Sequence, residues 1–266
     1  MRRGRATSGD GLLVYDTLQL TPSLAWTRGG YLNFGLWDAD TVSGDQACEQ
    51  LLAFVAGIVE LAAADHVLDV GFGTGAQDVF FAGLTDAAIT GINSSSSQTA
   101  VARHRVDAAQ LCPRVDLRRG DATRLELSDG IFDVVVCVEA AFHFERRERF
   151  FSEAHRVLRP GGRLVVADIL ARAEPHWTDR IFWSAFDRFF FVPRRNRISP
   201  GTYRAQLEAC GFAVQMERLT DRVYLPFFAA CRQAFRWWAA RLVARGLERW
   251  FRLRSPCEYV VAVATK

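Results

Sequence analysis

Long apolar runs, closely spaced cysteines and lysine are missing or nearly missing from this sequence of 266 residues. No apolar run reaches about 18 residues, so we expect no membrane-spanning helix. The basic start is not followed by the apolar core of a secretory signal, and we expect a cytoplasmic protein. Lys266 is the single lysine, a bias in amino-acid usage that indicates no function.

Cysteine spacing and net charge exclude further classes of protein. The six cysteines are scattered, and no two have the C-x-x-C spacing of a zinc site or a disulfide framework. We therefore predict reduced, mostly buried thiols and no metal site. The net charge of +3 is too small to indicate a nucleic-acid partner, and none is predicted.

The apolar segments that are present alternate with helical patterns. This alternation is typical of an α/β fold, and we predict a seven-stranded, mostly parallel, doubly wound sheet. An aromatic-rich stretch after the fifth strand interrupts the alternation and predicts a helical cap. The predicted strands are 66–71, 87–92, 114–120, 132–139, 162–170, 211–220 and 257–266.

A glycine-rich turn, DVGFGTG at residues 69–75, follows the first predicted strand. Glycine permits a positive φ and a close approach of backbone to ligand, and the next helix directs free N–H groups at an anion. The glycines are two residues apart throughout, unlike the G-x-G-x-x-G of dinucleotide sites. Taken alone, the turn also fits a purely structural role.

This D-x-G-x-G-x-G pattern resembles motif I of the Rossmann-like, class I S-adenosylmethionine-dependent methyltransferases. RRGDATRL, FDVVVCVEAAFHF and HRVLRPGGRLVVADI resemble three later motifs of that family, in the same order. The resemblance implies S-adenosyl-L-methionine as cofactor and disfavours a nicotinamide-dependent oxidoreductase. A homologue that binds the cofactor without catalysis stays open as an alternative.

The resemblance also implies cofactor-binding residues. In GINSSSSQ, Asn93 replaces the family's usual ribose-binding acid, as in subgroups that modify sterols, sugars and polyketide-like molecules; its amide can accept from one hydroxyl and donate to another. The serines that follow also fit a solvated turn. The implied cofactor-binding set is Asp69, Gly71, Gly73 and Gly75 at the methionine part, Asn93 at the ribose, Ser94 in the turn that follows and Gln98 at the start of the next helix, Asp121 and Ala122 at the adenine, and Glu139 and Ala140 beside the sulfonium.

Chemistry at the acceptor is assigned by the same resemblance. In similar small-molecule O-methyltransferases a histidine at the place of His143 removes the hydroxyl proton, and an aspartate at the place of Asp168 orients it. A loop histidine bonded to backbone is the alternative reading of His143. Methylation at carbon, on a polyketide, terpenoid or prenyl-type acceptor, is the rival reaction.

Aromatic residues indicate a hydrophobic small-molecule acceptor. Core packing or a dimer contact is the alternative for many of these rings, and a homodimer stays open. The predicted acceptor wall is Tyr31, Trp37, Phe142, Trp183, Phe186 and Phe190. The predicted organisation is an N-terminal lid at 1–48, a cofactor-binding core at 49–170, an acceptor cap at 171–202 and a C-terminal part at 203–266.

Residues 225–254 carry seven arginines and one acid, Glu248, with apolar residues at helical spacing. We predict a long, basic amphipathic helix there. A solvated basic face over a packed helix is the first interpretation. The second is contact with an anionic partner: a membrane surface, a carrier domain or a phosphorylated substrate.

Overall fold

One sheet with helices on both faces makes up the fold. The computed structural model describes residues 26–174, 176–190 and 192–266, and within 185–190 the backbone alone. The strands are β1 His66–Val70, β2 Ala88–Asn93, β3 Val115–Arg119, β4 Phe132–Val138, β5 Leu158–Ala171, β6 Ala213–Arg218 and β7 Cys257–Thr265. The helices are α1 Gly44–Ile58, α2 Ala76–Leu84, α3 Ser96–Ala108, α4 Arg147–Val157, α5 Asp179–Phe190, α6 Pro200–Ala209, α7 Thr220–Ala234 and α8 Trp238–Leu253.

The strand order is β3-β2-β1-β4-β5-β7-β6, which confirms the predicted fold class. β1 to β5 pair in parallel, and β7 runs antiparallel between β5 and β6. Four of the five residues of β1 are buried in succession, as expected of a strand covered on both faces. The carboxyl ends of the parallel strands therefore share one edge, where ligands bind in such folds.

Each face of the sheet has its own hydrophobic core. On one face Leu52, Phe81 and Tyr224 pack from α1, α2 and α7. On the other, Phe151 and Leu207 pack from α4 and α6. The two cores fix the helices against the sheet, so the loops at its carboxyl edge start from rigid elements.

The predicted long helix at 225–254 is wrong, because two helices occupy that stretch. α7 ends at Ala234, and Phe235 takes an extended conformation with φ −68° and ψ 127°. α8 then packs back on α7, which brings the ring of Phe251 to 4.8 Å from that of Tyr224 and 4.9 Å from that of Phe228. A continuous helix would lose this burial of Phe251.

Two predicted boundaries shift. α1 begins at Gly44, where the Ser43 side chain accepts from the Gln46 N–H, so the predicted boundary at residue 48 falls inside the helix. Residues 1–25 of the predicted lid lie outside the described residues. β5 begins at Leu158, four residues before the predicted start of this strand at residue 162, and its register against β4 is irregular.

All six cysteines are free thiols; Cys48, Cys137, Cys231 and Cys257 are buried. Within the described ranges, no cluster of three or more His, Cys, Asp or Glu is arranged to hold a metal ion. Over the same residues, none of the helices has the length and apolar character to cross a bilayer.

Candidate active site

A cavity of about 1130 Å³ opens at the carboxyl edge of β1, β2 and β4. Its wall contains most of the predicted cofactor-binding residues and His143. The predicted residues on the wall are Tyr31, Gly71, Gly73, Asn93, Ser94, Gln98, Asp121, Ala122, Glu139, Ala140 and His143.

The glycine turn divides into two roles. Gly71 and Gly73, with φ of 88° and 57°, line the cavity, and a Cβ added to Gly71 would collide with the Cβ of Ala140. Gly75 lies off the cavity at the start of α2, where an added Cβ would be 2.7 Å from the Ala102 Cβ on α3. The lack of a Cβ at Gly71 thus admits Ala140 at the cavity wall, and the lack of one at Gly75 admits the neighbouring helix α3.

Asp69 lies behind the cavity wall. Its carboxylate is fully buried and accepts both hydrogen bonds of the Gln77 amide, at 2.8 and 2.6 Å. Burial raises the pKa of Asp69 to about 7. Gln77 itself lines the cavity. The side chain that faces the cavity here is therefore the Gln77 amide, which is held in place by the predicted acid, Asp69.

Asn93 and Gln98 form one polar unit. The Asn93 amide donates to Gln98 Oε1 at 2.8 Å and to the Gly73 carbonyl at 3.4 Å, while its oxygen accepts from the Ser94 N–H at 3.0 Å. With Gln98 Oε1 occupied, the Gln98 NH₂ group is a donor and Asn93 Oδ1 keeps a second lone pair. The unit thus offers one donor and one acceptor without charge.

Asp121 projects from the loop after β3. Its Oδ1 accepts from the Thr123 N–H and hydroxyl, both at 2.8 Å, which holds the carboxylate in one orientation. Ala122 is buried beside it on the same wall. A fixed carboxylate next to a small apolar residue suits a planar ligand that carries an amino group.

Glu139 follows β4 directly and has a φ of 52°. Its Oε1 accepts from the Phe34 N–H at 2.9 Å and from the Tyr259 hydroxyl at 2.8 Å. Burial raises the pKa of this carboxyl to about 8 against the effect of both donors. Glu139 therefore joins the N-terminal segment to the sheet at the cavity wall.

His143 ends a single 3₁₀ turn, Ala141–His143, that follows β4. Its ring lies on the cavity wall, with its centroid 4.1 Å from that of Phe142. The turn places an imidazole at the same edge of the sheet as the glycine turn.

Asp168 is fully buried below the His143 turn, and its ion-pair partner is Arg147, at 3.3 Å between Arg147 Nε and Oδ2. Burial raises the pKa of Asp168, whereas Arg147 and the amides of Ile169 and Phe142 favour its charged form. The predicted dyad of His143 and Asp168 stays a prediction; the structure adds a buried arginine beside it.

The N-terminal segment 26–38 lies over the glycine turn. The Thr74 hydroxyl donates to the Gly30 carbonyl at 2.7 Å. The backbone N–H of Trp37 donates to the Arg222 carbonyl on α7 at 3.0 Å. The Tyr31 hydroxyl donates to Glu49 at 3.0 Å. These bonds attach the segment to the glycine turn, α7 and α1.

Three residues expected on the acceptor wall lie in the core. Trp37, Phe142 and Trp183 are 8%, 3% and 5% exposed and are absent from the cavity wall. Trp183 belongs to the same packed cluster as Phe182 and Phe251. The side chains of Phe186 and Phe190 lie outside the described part of the chain. These three aromatic rings therefore pack in the hydrophobic core and do not line the cavity.

Sequence reasoning missed part of the wall. Thr123 and Arg119 flank the predicted Asp121, and Gln77 lies in the first helical turn after the glycines. Their positions beside these motifs could have identified them as candidate wall residues. Val192 and Pro193 come from the cap and carry no motif. The missed wall residues include Leu32, Asn33, Gln77, Arg119, Thr123, Phe144, Glu145, Val192 and Pro193.

Comparison with known proteins gives the family. A family model described as a methyltransferase domain matches residues 68–166. The chain is 33% identical over 216 residues to erythromycin 3''-O-methyltransferase of Saccharopolyspora erythraea, which covers 76% of this chain and 69% of that protein. The chain belongs to the S-adenosylmethionine-dependent methyltransferases. The cofactor is S-adenosyl-L-methionine, and the oxidoreductase alternative is excluded.

Two further similarities place this methyltransferase among small-molecule enzymes. It is 36% identical over 147 residues to 27-O-demethylrifamycin SV methyltransferase of Amycolatopsis mediterranei, covering 55% of this chain and 54% of that protein. The structure of the [4+2]-cyclase SpnF matches with a TM-score of 0.78 and 25% identity, covering 99% of this chain and 97% of that one. This methyltransferase acts on a small molecule.

The cavity fits the methyltransferase cofactor in shape and chemistry. At Gly71 the backbone itself forms the wall, packed so closely on Ala140 that an added Cβ would collide with it. The Asn93–Gln98 unit matches two neighbouring hydroxyls, and the carboxylate of Asp121 matches an amino group. These are the polar groups that an adenosyl ligand carries.

Proposed function

We propose that this methyltransferase methylates a hydroxyl of a hydrophobic natural product, with His143 as general base. The observation that carries the proposal is the position of His143 on the wall that also holds Gly71 and Asp121. When bound, the cofactor supplies an electrophilic methyl group. An alcohol must lose its proton to accept it, and a positioned imidazole takes that proton near neutral pH.

For the cofactor we propose that different parts of the cavity wall bind its methionine part, its ribose and its adenine. The backbone at Gly71 and Gly73 holds the methionine part, and Asn93 with Gln98 binds the ribose hydroxyls. Asp121 accepts from the adenine amino group. Gln77, held by Asp69, replaces Asp69 as the side chain facing the ligand.

The size and lining of the cavity support an apolar acceptor. At about 1130 Å³ it exceeds the roughly 300–1,000 Å³ of a site for one small molecule, so a cofactor and an acceptor fit together. Leu32, Phe144, Val192 and Pro193 supply apolar wall. The two relatives named as O-methyltransferase and O-demethylrifamycin methyltransferase favour oxygen as the methylated atom.

Replacement of His143 tests the proposal. We expect His143→Ala to lower kcat about 10²- to 10⁴-fold at neutral pH and to lose the kcat pH dependence, because no positioned base remains. Calorimetric affinity for S-adenosylmethionine should stay within about two-fold, since cofactor contacts are intact. His104→Ala, an exposed histidine on α3, is the matched control. Unchanged turnover of His143→Ala at every pH would exclude a base at this position.

Product analysis separates the rival reactions. A gain of one CH₂ unit in mass indicates methyl transfer, and NMR of the product distinguishes a new O–CH₃ from a new C–CH₃. A ring closure like that named for the structural relative leaves the mass unchanged. An O–CH₃ product is expected.

A further inference from the structure

Side chains from outside the loop bind the carbonyls of the His143 turn. Asn196 Nδ2 donates to the Phe142 carbonyl at 2.9 Å and to the Phe144 carbonyl at 2.7 Å. Arg147 Nε lies 3.4 Å from the Ala141 carbonyl. His143 is therefore flanked on both sides by backbone groups that one amide holds.

Asn196 belongs to the cap. It ends the short 3₁₀ turn Arg194–Asn196 between α5 and α6, is 2% exposed, and its N–H donates to the Pro193 carbonyl at 2.8 Å. Val192 and Pro193 are on the cavity wall. One buried amide thus connects the part of the cap that faces the cavity with the turn that carries His143.

Arg147 belongs to the same arrangement of buried polar groups. It is 1% exposed, pairs with Asp168 at 3.3 Å, and its guanidinium carbon lies 5.2 Å from the centroid of the Tyr203 ring. Arg147 Nη1 also lies 3.5 Å from the Asn196 carbonyl. A buried cation needs such partners, so this ion pair fixes both the turn and the cap segment.

We propose that Asn196 is a positioning residue that couples the acceptor cap to His143. It acts by holding the two carbonyls around His143, so the imidazole is aligned when the Val192–Pro193 wall is in place. This inference rests on the proposed role of His143 as base.

The test is a double-mutant cycle between Asn196 and His143. We expect Asn196→Ala to lower kcat about 100-fold, since a displacement of about 1 Å costs that much, with calorimetric cofactor affinity within about two-fold. In the His143→Ala background the same change should alter kcat less than about two-fold. Asn196→Ser, which keeps a shorter donor, should recover part of the turnover.

Each outcome has a separate meaning. Equal losses from Asn196→Ala in both backgrounds would overturn the positioning role and leave His143 as base. Full activity of His143→Ala would instead overturn the proposed base. Ser199→Ala, which removes the N-cap of α6 near Asn196, controls for lost stability; a kcat loss equal to that of Asn196→Ala at the same melting temperature would also overturn the inference.

A second, independent observation concerns the outer face of α8. Its large apolar side chains are exposed: Trp238 at 75%, Leu242 at 55%, Val243 at 62% and Leu253 at 77%, with Trp237 before the helix at 67%. Such an exposed apolar stripe marks a contact surface.

An arginine row runs beside this stripe. Arg241, Arg245 and Arg249 are exposed and four residues apart, and Arg241 and Arg245 follow Trp238 and Leu242 by three positions, which makes them neighbours on the helix surface. Glu248 is the only acid of residues 225–254, and it pairs with Arg232 and Arg252 on the packed side. The exposed face is therefore apolar and cationic along the whole helix.

We infer that the outer face of α8 binds an anionic lipid surface. Tryptophan and leucine beside a row of arginines are the pattern of helices that lie in the headgroup region, where the rings enter and the guanidinium groups meet phosphates. The arginine row is complementary in charge to anionic lipid headgroups, which favours an anionic lipid surface over a neutral one.

Vesicle sedimentation of the full chain tests this surface. We expect binding to phosphatidylcholine vesicles that contain phosphatidylglycerol and none to phosphatidylcholine alone. Arg241→Gln with Arg245→Gln should lower the partition coefficient about five-fold per arginine, and Trp238→Ser should lower it further. Arg218→Gln with Arg222→Gln, the same charge change on another exposed site, should have little effect.

Three results would overturn the inference. These are equal, negligible binding to both vesicles, binding that the α8 variants leave unchanged, and a dimer seen by light scattering that the α8 variants dissociate. The last result would assign the face to a second copy of the chain.

Discussion

Two buried carboxyl groups, Asp69 and Asp78, lie behind the glycine turn and are fully enclosed. Burial raises the pKa of Asp69 to about 7, and burial together with the charge of Asp69 raises the pKa of Asp78 well above its ordinary value. Because burial and the neighbouring carboxyl both disfavour a second negative charge, we expect the pair to hold at least one proton in the folded protein. The motif acid is therefore also a source of pH-dependent stability.

Asp78→Asn should stabilise the protein at high pH. Both folded pKa values lie above the unfolded ones, so the stability that the pair contributes is present at low pH and is lost progressively as the pH rises through the two raised pKa values. We expect a gain of about 1–2 kcal/mol at pH 8 and a smaller one at pH 5.5, measured by urea unfolding. Asp86→Asn, an exposed control, should show no such difference. Equal changes at both pH values would contradict the shared proton.

More of the residues predicted for the cofactor than of those predicted for the acceptor lie on the cavity wall. Gly71, Asn93 and Asp121 were predictable because a turn or a strand end fixes each within a few residues of its motif. Trp37 and Trp183 were assigned to the cavity and lie in the core. The sequence shows where an aromatic side chain occurs. The direction in which its ring points depends on packing against helices far away in the sequence.

At the scale of elements, Pro226 explains how α7 holds the N-terminal segment. Pro226 lies inside the helix and has no N–H for the Arg222 carbonyl four residues earlier. The Trp37 N–H donates to that carbonyl at 3.0 Å. A defect in one helix thus provides the acceptor that attaches another segment.

Pro226→Ala should loosen this attachment. The new N–H competes for the Arg222 carbonyl, so the helix gains a bond and the segment 26–38 loses one. We expect the KM for S-adenosylmethionine to rise about three- to ten-fold, in line with about 1 kcal/mol for one hydrogen bond, without loss of melting temperature. Arg222→Ala, which keeps the carbonyl, should leave KM unchanged. An unaltered KM in Pro226→Ala would argue against the role of this bond.

Predicted elements agree with the observed ones where the pattern is local. The predicted strands begin and end within a few residues of the observed ones, except that β5 starts earlier, because continuous apolar runs identify buried strands. Residues 225–254 gave one helical pattern but form two helices. The helical spacing continues through the break, and only the packing of Phe251 against Tyr224 selects the bent arrangement.

At the scale of the whole molecule, Glu139 joins three distant parts of the chain. Its carboxylate binds Phe34, 105 residues earlier, and Tyr259, 120 residues later. Burial raises its pKa to about 8. The attachment of the N-terminal segment and of β7 to the cavity wall therefore depends on one titrating group.

Glu139→Gln should remove a pH dependence of stability. The folded pKa exceeds the unfolded value, so the contribution of Glu139 is full below about pH 4.5 and is lost as the pH rises through about 8. We expect the free energy of unfolding of the wild type to fall by about 1–3 kcal/mol more than that of the variant between pH 5 and 8.5. Urea midpoints across this window measure it. Parallel curves for the two proteins would contradict the assignment.

The sequence by itself determined the sheet, the glycine turn and the family, because periodicity and short motifs act over a few residues. Tertiary structure alone decided that Asp168 pairs with Arg147, that Asn196 holds the His143 turn, and that the C-terminal arginine stretch folds back on itself. These contacts join residues 21 to 54 positions apart or depend on which face a helix buries. No local pattern encodes them, since burial and ion pairing are settled only when the whole chain has packed.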